Sequence, residues 1–153
     1  PTVILRMNES AMGRLRPAVL LLTAVAALLP CTFALNVLVA GGSGRVGGST
    51  LRWLQKYSSR DPTLDLTVNV GCRTKESFDA AVRNSVVPRS GVDFVPMDLD
   101  GGNDEQLMKA IDGCGLVVNT AGPFQGRRDP ALLRCCIAKG IPYVDVCDEY
   151  ELA

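Results

Sequence analysis

Closely spaced glycines follow an apolar run in the segment VLVAGGSGRVGG, residues 37–48. Two overlapping spacings, G-x-G-x-x-G and G-x-x-G-x-x-G, are formed by Gly41, Gly42, Gly44 and Gly47. Glycine permits a tight strand-to-helix turn, and the lack of a side chain lets a phosphate group approach the backbone closely. Amide groups at the start of the following helix can then bind the anion. The spacing therefore predicts a loop that holds the pyrophosphate of a dinucleotide.

Each residue of this loop has an expected task. Gly44 leaves room for the pyrophosphate, and Gly47 lets the helix pack closely against the strand. The Arg45 side chain could add positive charge near the phosphates. The residues predicted to bind the cofactor here are Gly42, Ser43, Gly44, Arg45, Val46 and Gly47. The alternative is a glycine-rich turn that binds nothing, whereas a P-loop is excluded because no G-K-[ST] follows.

Basic residues follow the next apolar run, in the segment LTVNVGCRTK. A fold selective for NAD usually has an acidic residue at this strand end, which binds the ribose 2′-OH. Here the chain has Arg73, Thr74 and Lys75 instead, and a guanidinium group can pair with a 2′-phosphate through two hydrogen bonds. The sequence therefore favours NADP over NAD and predicts Arg73 and Thr74 as cofactor residues. The alternative is an arginine exposed at a helix start.

Two later strand ends supply the remaining predicted cofactor residues. Asp98 and Leu99 follow the third apolar run, where such folds flank the adenine, although Asp98 could instead be a turn residue. Small residues end the fourth run and would let a cofactor pass over the carboxyl edge of the sheet. These residues are Asn119, Thr120, Ala121 and Gly122.

The elements that position these residues alternate regularly along the chain. Valine-rich runs typical of buried parallel strands lie at Val37–Ala40, Leu66–Val70, Val92–Met97, Leu116–Val118 and Tyr143–Val146. Four segments with helical periodicity separate them, the first over residues 45–57. Short connections of this kind form right-handed β-α-β units. The predicted fold class is α/β, a doubly wound parallel sheet of the Rossmann NAD(P)-binding type, with an apparent truncation after the fifth strand.

Capping residues define the expected helix ends. The second helix is predicted to begin after Thr74 and the third after Asn103, because both side chains can cap a helix N-terminus. In the fourth helix, Asp129 is expected as the N-cap and Pro130 as the first helical residue, and Gly140 ends the helix. The residues of that helix predicted to face the core are Leu133, Cys136 and Ile137.

Composition excludes several classes of function. Sixteen basic residues balance sixteen acidic ones, which argues against nucleic acid as a partner. The sequence has no histidine, which excludes histidine metal sites and histidine general bases, so no metal is expected. None of the six cysteines forms a C-x-x-C pair, and most lie in apolar runs. We expect buried, reduced thiols, with a redox role for the adjacent pair Cys135–Cys136 as the alternative.

Residues 1–35 resemble a leader rather than part of the folded domain. Pro17–Leu35 carries no charge, and Arg14 and Arg16 precede it. A basic flank, a short apolar centre and small residues near the end are typical of a secretory signal. The predicted organisation is a leader over residues 1–35 and a nucleotide-binding domain over 36–153. Secretion or organelle targeting is the first expectation for localisation, and a membrane anchor is the second.

Four segments together resemble the NADP-binding domain of the saccharopine dehydrogenase-like oxidoreductases: VLVAGGSGRVGGSTLRWL, VNVGCRT, VVNTAGPFQ and LLRCCIAKGIPYVDVCDE. The resemblance covers about residues 35–149. It implies that the glycine loop holds the pyrophosphate and that Arg73 contacts the 2′-phosphate. It also implies that the loop from Asn119 to Gly122 runs beside the nicotinamide half. Tyr143, Asp145 and Asp148 match the next strand end, at the border of the active-site cleft.

The resemblance further implies hydride transfer between the nicotinamide and a C–N or C–O bond of a small substrate. Family members continue into a second domain that binds the substrate, so this chain is expected to be the cofactor-binding part and not to catalyse alone. A non-catalytic NADP sensor or scaffold is the alternative. A short-chain dehydrogenase is disfavoured because neither Tyr57 nor Tyr143 has a lysine four residues later.

Overall fold

The computed structural model describes residues 33–101, 103–122 and 129–147. In these ranges five strands alternate with four helices, as the apolar runs predict. The strands are β1 Phe33–Ala40, β2 Leu64–Cys72, β3 Asp93–Pro96, β4 Leu116–Asn119 and β5 Tyr143–Asp145. The helices are α1 Arg45–Ser58, α2 Lys75–Arg83, α3 Asp104–Ala110 and α4 Ala131–Lys139.

The five strands form one parallel sheet in the order β3-β2-β1-β4-β5. The chain moves outward from β1 to β3, then crosses back to β4 on the other side of β1. In the register, Val37 pairs with Val68 of β2 and with Leu116 of β4. This order is that of a doubly wound nucleotide-binding sheet, and the predicted fold class is confirmed.

Alternate residues of β1 point into two separate apolar layers. Val37 and Val39 pack with Leu51 of α1 and Phe78 of α2 on one face of the sheet. Leu38 and Ala40 pack on the other face, with residues of α3 and α4. Right-handed crossovers require this division, because connections made in opposite directions lie on opposite faces of a sheet. The sheet edge at the carboxyl ends of the strands is left uncovered by these layers.

Two of the predicted N-caps are confirmed by their hydrogen bonds. The Ser77 amide donates to the Thr74 hydroxyl oxygen at 3.2 Å, and the Gln106 amide donates to the Asn103 side-chain oxygen at 2.8 Å. Gly140 ends α4 in the left-handed conformation, with φ of 65°.

The predicted start of α4 is wrong, and of the three residues predicted to face the core only Cys136 is buried. Pro130 is the N-cap rather than the first helical residue, and Asp129 pairs with Arg134 instead of capping. The buried residues are Leu132, Cys135 and Cys136, while Ile137 is 70% exposed and Leu133 only partly buried. A shift of one residue turns a helix by about 100°, which moves Leu132 into the position predicted for Leu133.

Cysteines in the described residues are free thiols, as predicted. Cys72, Cys135 and Cys136 are buried, and Cys114 and Cys147 are partly buried. Burial raises the pKa of the Cys136 thiol to about 11, helped by its neighbours Cys135 and Cys114. Such a thiol stays protonated at neutral pH and is a poor nucleophile.

The N-terminal segment lies almost entirely outside the described residues, as do Cys31 and Asp148. Strand β1 begins at Phe33, within the last residues assigned to the leader. In the described part of the chain, no helix combines the length and the apolar character needed to cross a membrane.

Candidate functional site

The glycine loop makes a tight turn between β1 and α1. Gly41 has a φ of +73°, and its amide donates to the Gly71 carbonyl at the end of β2, at 2.8 Å. The Gly44 amide then donates to the Gly41 carbonyl at 2.9 Å. The loop is therefore an ordered turn, held by a hydrogen bond within the loop and by another to β2.

Neighbouring atoms leave no space for side chains at two of the glycines. A Cβ atom at Gly42 would lie 2.8 Å from Cγ1 of Val70. One at Gly47 would lie 2.5 Å from the Gly41 carbonyl oxygen, closer than real Cβ contacts come. At Gly44 a Cβ atom would meet only the Gly41 carbonyl oxygen, at 3.2 Å. Gly42 and Gly47 thus allow close packing, while the surface over Gly44 is open to a ligand.

The N-terminus of α1 lies directly behind this open surface, and no side chain in the described part of the chain caps it. Its N-cap residue is Gly44, which has no side chain to accept a hydrogen bond, and the first turn contains no acidic residue. The first amide groups of a helix, here those of Arg45 and Val46, have no partner in a preceding turn. With the positive end of the helix dipole, they form an anion-binding arrangement.

The side chains of Arg45 and Val46 do not line this cleft. Both are exposed and line a separate groove, with Ser85 and Val86 from the segment after α2. In both residues it is therefore the backbone amide group, and not the side chain, that is placed for a phosphate contact.

The end of β2 brings Arg73 to the same sheet edge. Its side chain is exposed, lines the cleft in front of the glycine loop and has no ion-pair partner among the described residues. Thr74 and Lys75 are already engaged: the Thr74 hydroxyl caps α2, and Lys75 pairs with Asp79. Arg73 is thus the cation of this strand end that is available to a ligand.

The Cys72 thiol and the hydroxyl groups of Ser43 and Ser77 also meet at this strand end, and of these residues sequence reasoning missed Cys72 and Ser77. Cys72 lines the cleft beside Ser43 and Ser77. Burial raises the pKa of the Cys72 thiol, although both hydroxyls and Lys75 act in the opposite direction. Both could have been predicted from their positions, because Cys72 is the last residue of β2 and Ser77 lies in the first turn of α2.

Residues after β3 form the floor of the adjoining part of the cleft. Met97 is buried, and its amide donates to the Cys72 carbonyl at 2.9 Å, which joins the ends of β3 and β2. Asp98 and Leu99 line the cleft, as does Asp100. The Asp98 side chain accepts a hydrogen bond from the Asp100 amide at 3.0 Å, so it also stabilises the turn.

Residues after β4 form the opposite wall. Thr120, Ala121 and Gly122 line the cleft, and both the amide and the hydroxyl of Thr120 donate to the Ala40 carbonyl at the end of β1, at 2.9 and 2.8 Å. Asn119 is 6% exposed and instead lines a small neighbouring cavity, with Tyr143 and Asp145 of β5. Its side chain is bonded within the protein.

The cleft these segments enclose has a volume of about 330 Å³ and crosses the point between β1 and β4 where the strand order reverses. Ligands of doubly wound sheets bind at this point. The predicted residues brought together as its lining are Ser43, Gly44, Arg73, Asp98, Leu99, Thr120, Ala121 and Gly122. The predicted residues that do not line the cleft are Gly42, Arg45, Val46, Gly47, Thr74 and Asn119. The described residues contain no cluster of side chains able to hold a metal ion.

One family model matches most of the chain in sequence. It is described as the saccharopine dehydrogenase NADP binding domain and matches residues 37–152. A comparison with curated proteins finds no match.

Solved structures resemble the chain in fold. A wide-type short-chain dehydrogenase/reductase from Veillonella parvula DSM 2008, in complex with NADP, is 12% identical with a TM-score of 0.51, covering 72% of this chain and 46% of that chain. An ethylated form from the same organism has a TM-score of 0.52 at 12% identity, covering 74% and 47%. Pen from Bacillus thuringiensis has a TM-score of 0.54 at 15% identity, covering 76% and 39%. The chain thus spans less than half the length of these structures, and such low identity shows the fold alone.

Proposed function

The chain belongs to the family of saccharopine dehydrogenase NADP-binding domains, and from this we propose that it is the cofactor-binding part of an NADP-dependent oxidoreductase. NADP is its cofactor, and its fold is that of dehydrogenase/reductase-type proteins. The proposal extends this to the chemistry, which would be hydride transfer between the nicotinamide and a C–N or C–O bond of a small substrate. A second domain, outside the residues described, would bind that substrate.

The observation that carries the proposal is that a helix N-terminus without a side-chain cap and an arginine without an ion-pair partner, both judged among the described residues, lie at one cleft. The start of α1 behind Gly44 offers amide groups for the pyrophosphate. Arg73 lies at the end of β2, where the ribose of the adenosine half is bound in this architecture. A 2′-phosphate there could accept two hydrogen bonds from the guanidinium group of Arg73.

The remaining walls of the cleft fit the two halves of such a cofactor. Asp98 and Leu99 follow β3 on the side of Arg73, which suits the adenine. The wall Thr120–Gly122 follows β4 on the other side of the strand-order reversal, which suits the nicotinamide half. When bound, NADP would supply the hydride chemistry, while these residues hold and orient it.

A non-catalytic NADP sensor or scaffold is the second candidate. It is favoured by the composition of the wall on the nicotinamide side, where Thr120, Ala121 and Gly122 carry no ionisable side chain. The Thr120 hydroxyl proton is also donated to the Ala40 carbonyl. A proton donor or acceptor for catalysis would therefore come from elsewhere in an enzyme and would be lacking in a sensor.

Calorimetric titration of the whole chain with NADPH and NADH tests the cofactor site. Arg73→Ala should weaken NADPH binding about 10- to 100-fold and leave NADH binding unchanged, because a charge-assisted hydrogen bond contributes about 1.5–3 kcal/mol. Arg60→Ala is the matched control, since Arg60 follows the C-terminal end of α1, at the opposite edge of the sheet. A folded chain that binds neither nucleotide would contradict the proposal. Equal NADPH affinity of the wild type and Arg73→Ala would remove Arg73 from it.

A further inference from the structure

A partly buried hydrogen bond joins the last residue of β4 to the first residue of β5 just outside the cofactor cleft. The Asn119 side-chain nitrogen donates to the Tyr143 hydroxyl oxygen at 2.9 Å. The Asn119 side-chain oxygen accepts from the Ala121 amide at 3.1 Å. One buried amide side chain is therefore fixed at both ends, by the neighbouring strand on one side and by the cleft wall on the other.

The wall Thr120–Gly122 is held by the glycine loop and by its own turn as well as by Asn119. A Cβ atom built on Gly41 would lie 2.7 Å from Cα of Ala121, so the wall rests directly on the glycine loop. The Gly122 amide donates to the Thr120 carbonyl at 3.0 Å, which curls the wall into a tight turn. A shift of Asn119 would therefore remove one of the contacts that hold Ala121 in the cofactor-facing wall.

Tyr143 keeps one hydrogen-bonding state across the working pH range. Burial is the largest cause and raises the pKa of its hydroxyl; the hydrogen bond from Asn119 lowers it in part, and the Asp145 carboxylate raises it again. The hydroxyl therefore stays protonated, accepts a hydrogen bond from Asn119 and donates its own proton to the Asp145 carboxylate. A group that is partly buried and permanently neutral is suited to holding a neighbour in place rather than to exchanging protons.

We propose that Tyr143 is a positioning residue which, through Asn119, sets the wall Thr120–Gly122 for the nicotinamide half of the cofactor. This inference rests on the proposed function, because it takes the cleft to be the NADP site. A purely structural role, in which the contact only ties β5 to β4, would affect both halves of the cofactor alike.

Two ligands distinguish these roles: NADPH, and 2′,5′-ADP, which has the adenosine and 2′-phosphate but no nicotinamide. Tyr143→Phe removes the hydroxyl and retains the ring. We expect it to weaken NADPH binding about three- to tenfold, the effect of one lost hydrogen bond, and to change 2′,5′-ADP binding less than twofold. The fluorescence of the bound nicotinamide should also change. Tyr57→Phe, on an exposed ring of α1, is the control and should change neither affinity.

Asn119→Ser, whose side chain is too short to reach Tyr143, should give the same pattern and provides a second variant. Unchanged NADPH affinity in folded Tyr143→Phe, or equal losses for both ligands, would overturn the inference while leaving the proposed function intact. Failure of the wild type to bind either ligand would overturn the proposed function and this inference with it.

Discussion

Gly47→Ala is the substitution whose effect follows most directly from the described contacts. Gly47 lies in the first turn of α1, where its added Cβ atom would come 2.5 Å from both the Gly41 carbonyl oxygen and Cα of Gly42. It would also lie 2.8 Å from the Thr120 hydroxyl oxygen. Two of the three obstacles are backbone atoms, which cannot rotate away, and the Thr120 hydroxyl is held by the Ala40 carbonyl.

The size of the effect follows from two opposing contributions. Ordinary contacts of a Cβ atom begin at 3.4 Å, so the start of α1 would have to move outward by most of an ångström. Such overpacking costs about 1–3 kcal/mol, whereas replacing glycine by alanine in a helix stabilises it by at most about 1 kcal/mol. We expect a net destabilisation of about 1–2 kcal/mol and a fall in Tm of about 3–10 °C.

Thermal unfolding followed by circular dichroism measures the stability, and calorimetric titration with NADPH measures the binding. The displaced start of α1 also carries the amide groups proposed for the pyrophosphate, so we expect NADPH affinity to fall at least tenfold, or about 1.4 kcal/mol. Ser49→Ala, in the same helix and with a side chain that makes no hydrogen bond to the described residues, should change neither quantity. Wild-type Tm and affinity in Gly47→Ala would refute the packing argument.

Three further predictions concern stability. Gly140→Ala should destabilise the chain by about 1 kcal/mol in urea unfolding, because Gly140 has φ of +65° with nothing near its Cβ position, and Gly140→Asn should cost less. Thr74→Ala should lower the unfolding free energy by about 1 kcal/mol through loss of the cap on Ser77, and an unchanged value would contradict that role. The pKa of the Cys136 thiol is raised from its ordinary value of 9.0 to about 11. The protonated thiol therefore adds to the free energy of unfolding in full below pH 9, and this stabilisation is lost as the pH rises towards 11. Unfolding free energies over that range should therefore fall less steeply in Cys136→Ala than in the wild type.

The order of elements and the location of the cleft could be predicted from sequence because they depend on local patterns. Interactions within a few residues determine each of these patterns: the valine-rich runs, the glycine spacing and the capping residues such as Thr74 and Asn103. The right-handed crossover rule then leaves few topologies, and all of these place the carboxyl ends of the strands at one edge.

Side-chain directions could not be predicted because they depend on partners distant in sequence or on a single residue of register. The one-residue error at the start of α4 exchanged Leu132 for Leu133 in the core. Asn119 is turned away from the cleft by Tyr143, which lies 24 residues further along the chain. Lys75 is drawn away from the cleft by Asp79 one helical turn later, a pairing whose spacing was visible in the sequence.

The hydrogen bond between Thr120 and Ala40 joins residues that are 80 positions apart in the sequence, and this separation affects the order of folding. Strands β1, β2 and β3 pair through short successive crossovers, whereas β4 must close a much longer loop, so it is expected to join the sheet later in folding. The cleft has both walls only after that step. Bound NADP would then stabilise contacts that are absent from the folding transition state. It should therefore slow unfolding while leaving the folding rate almost unchanged.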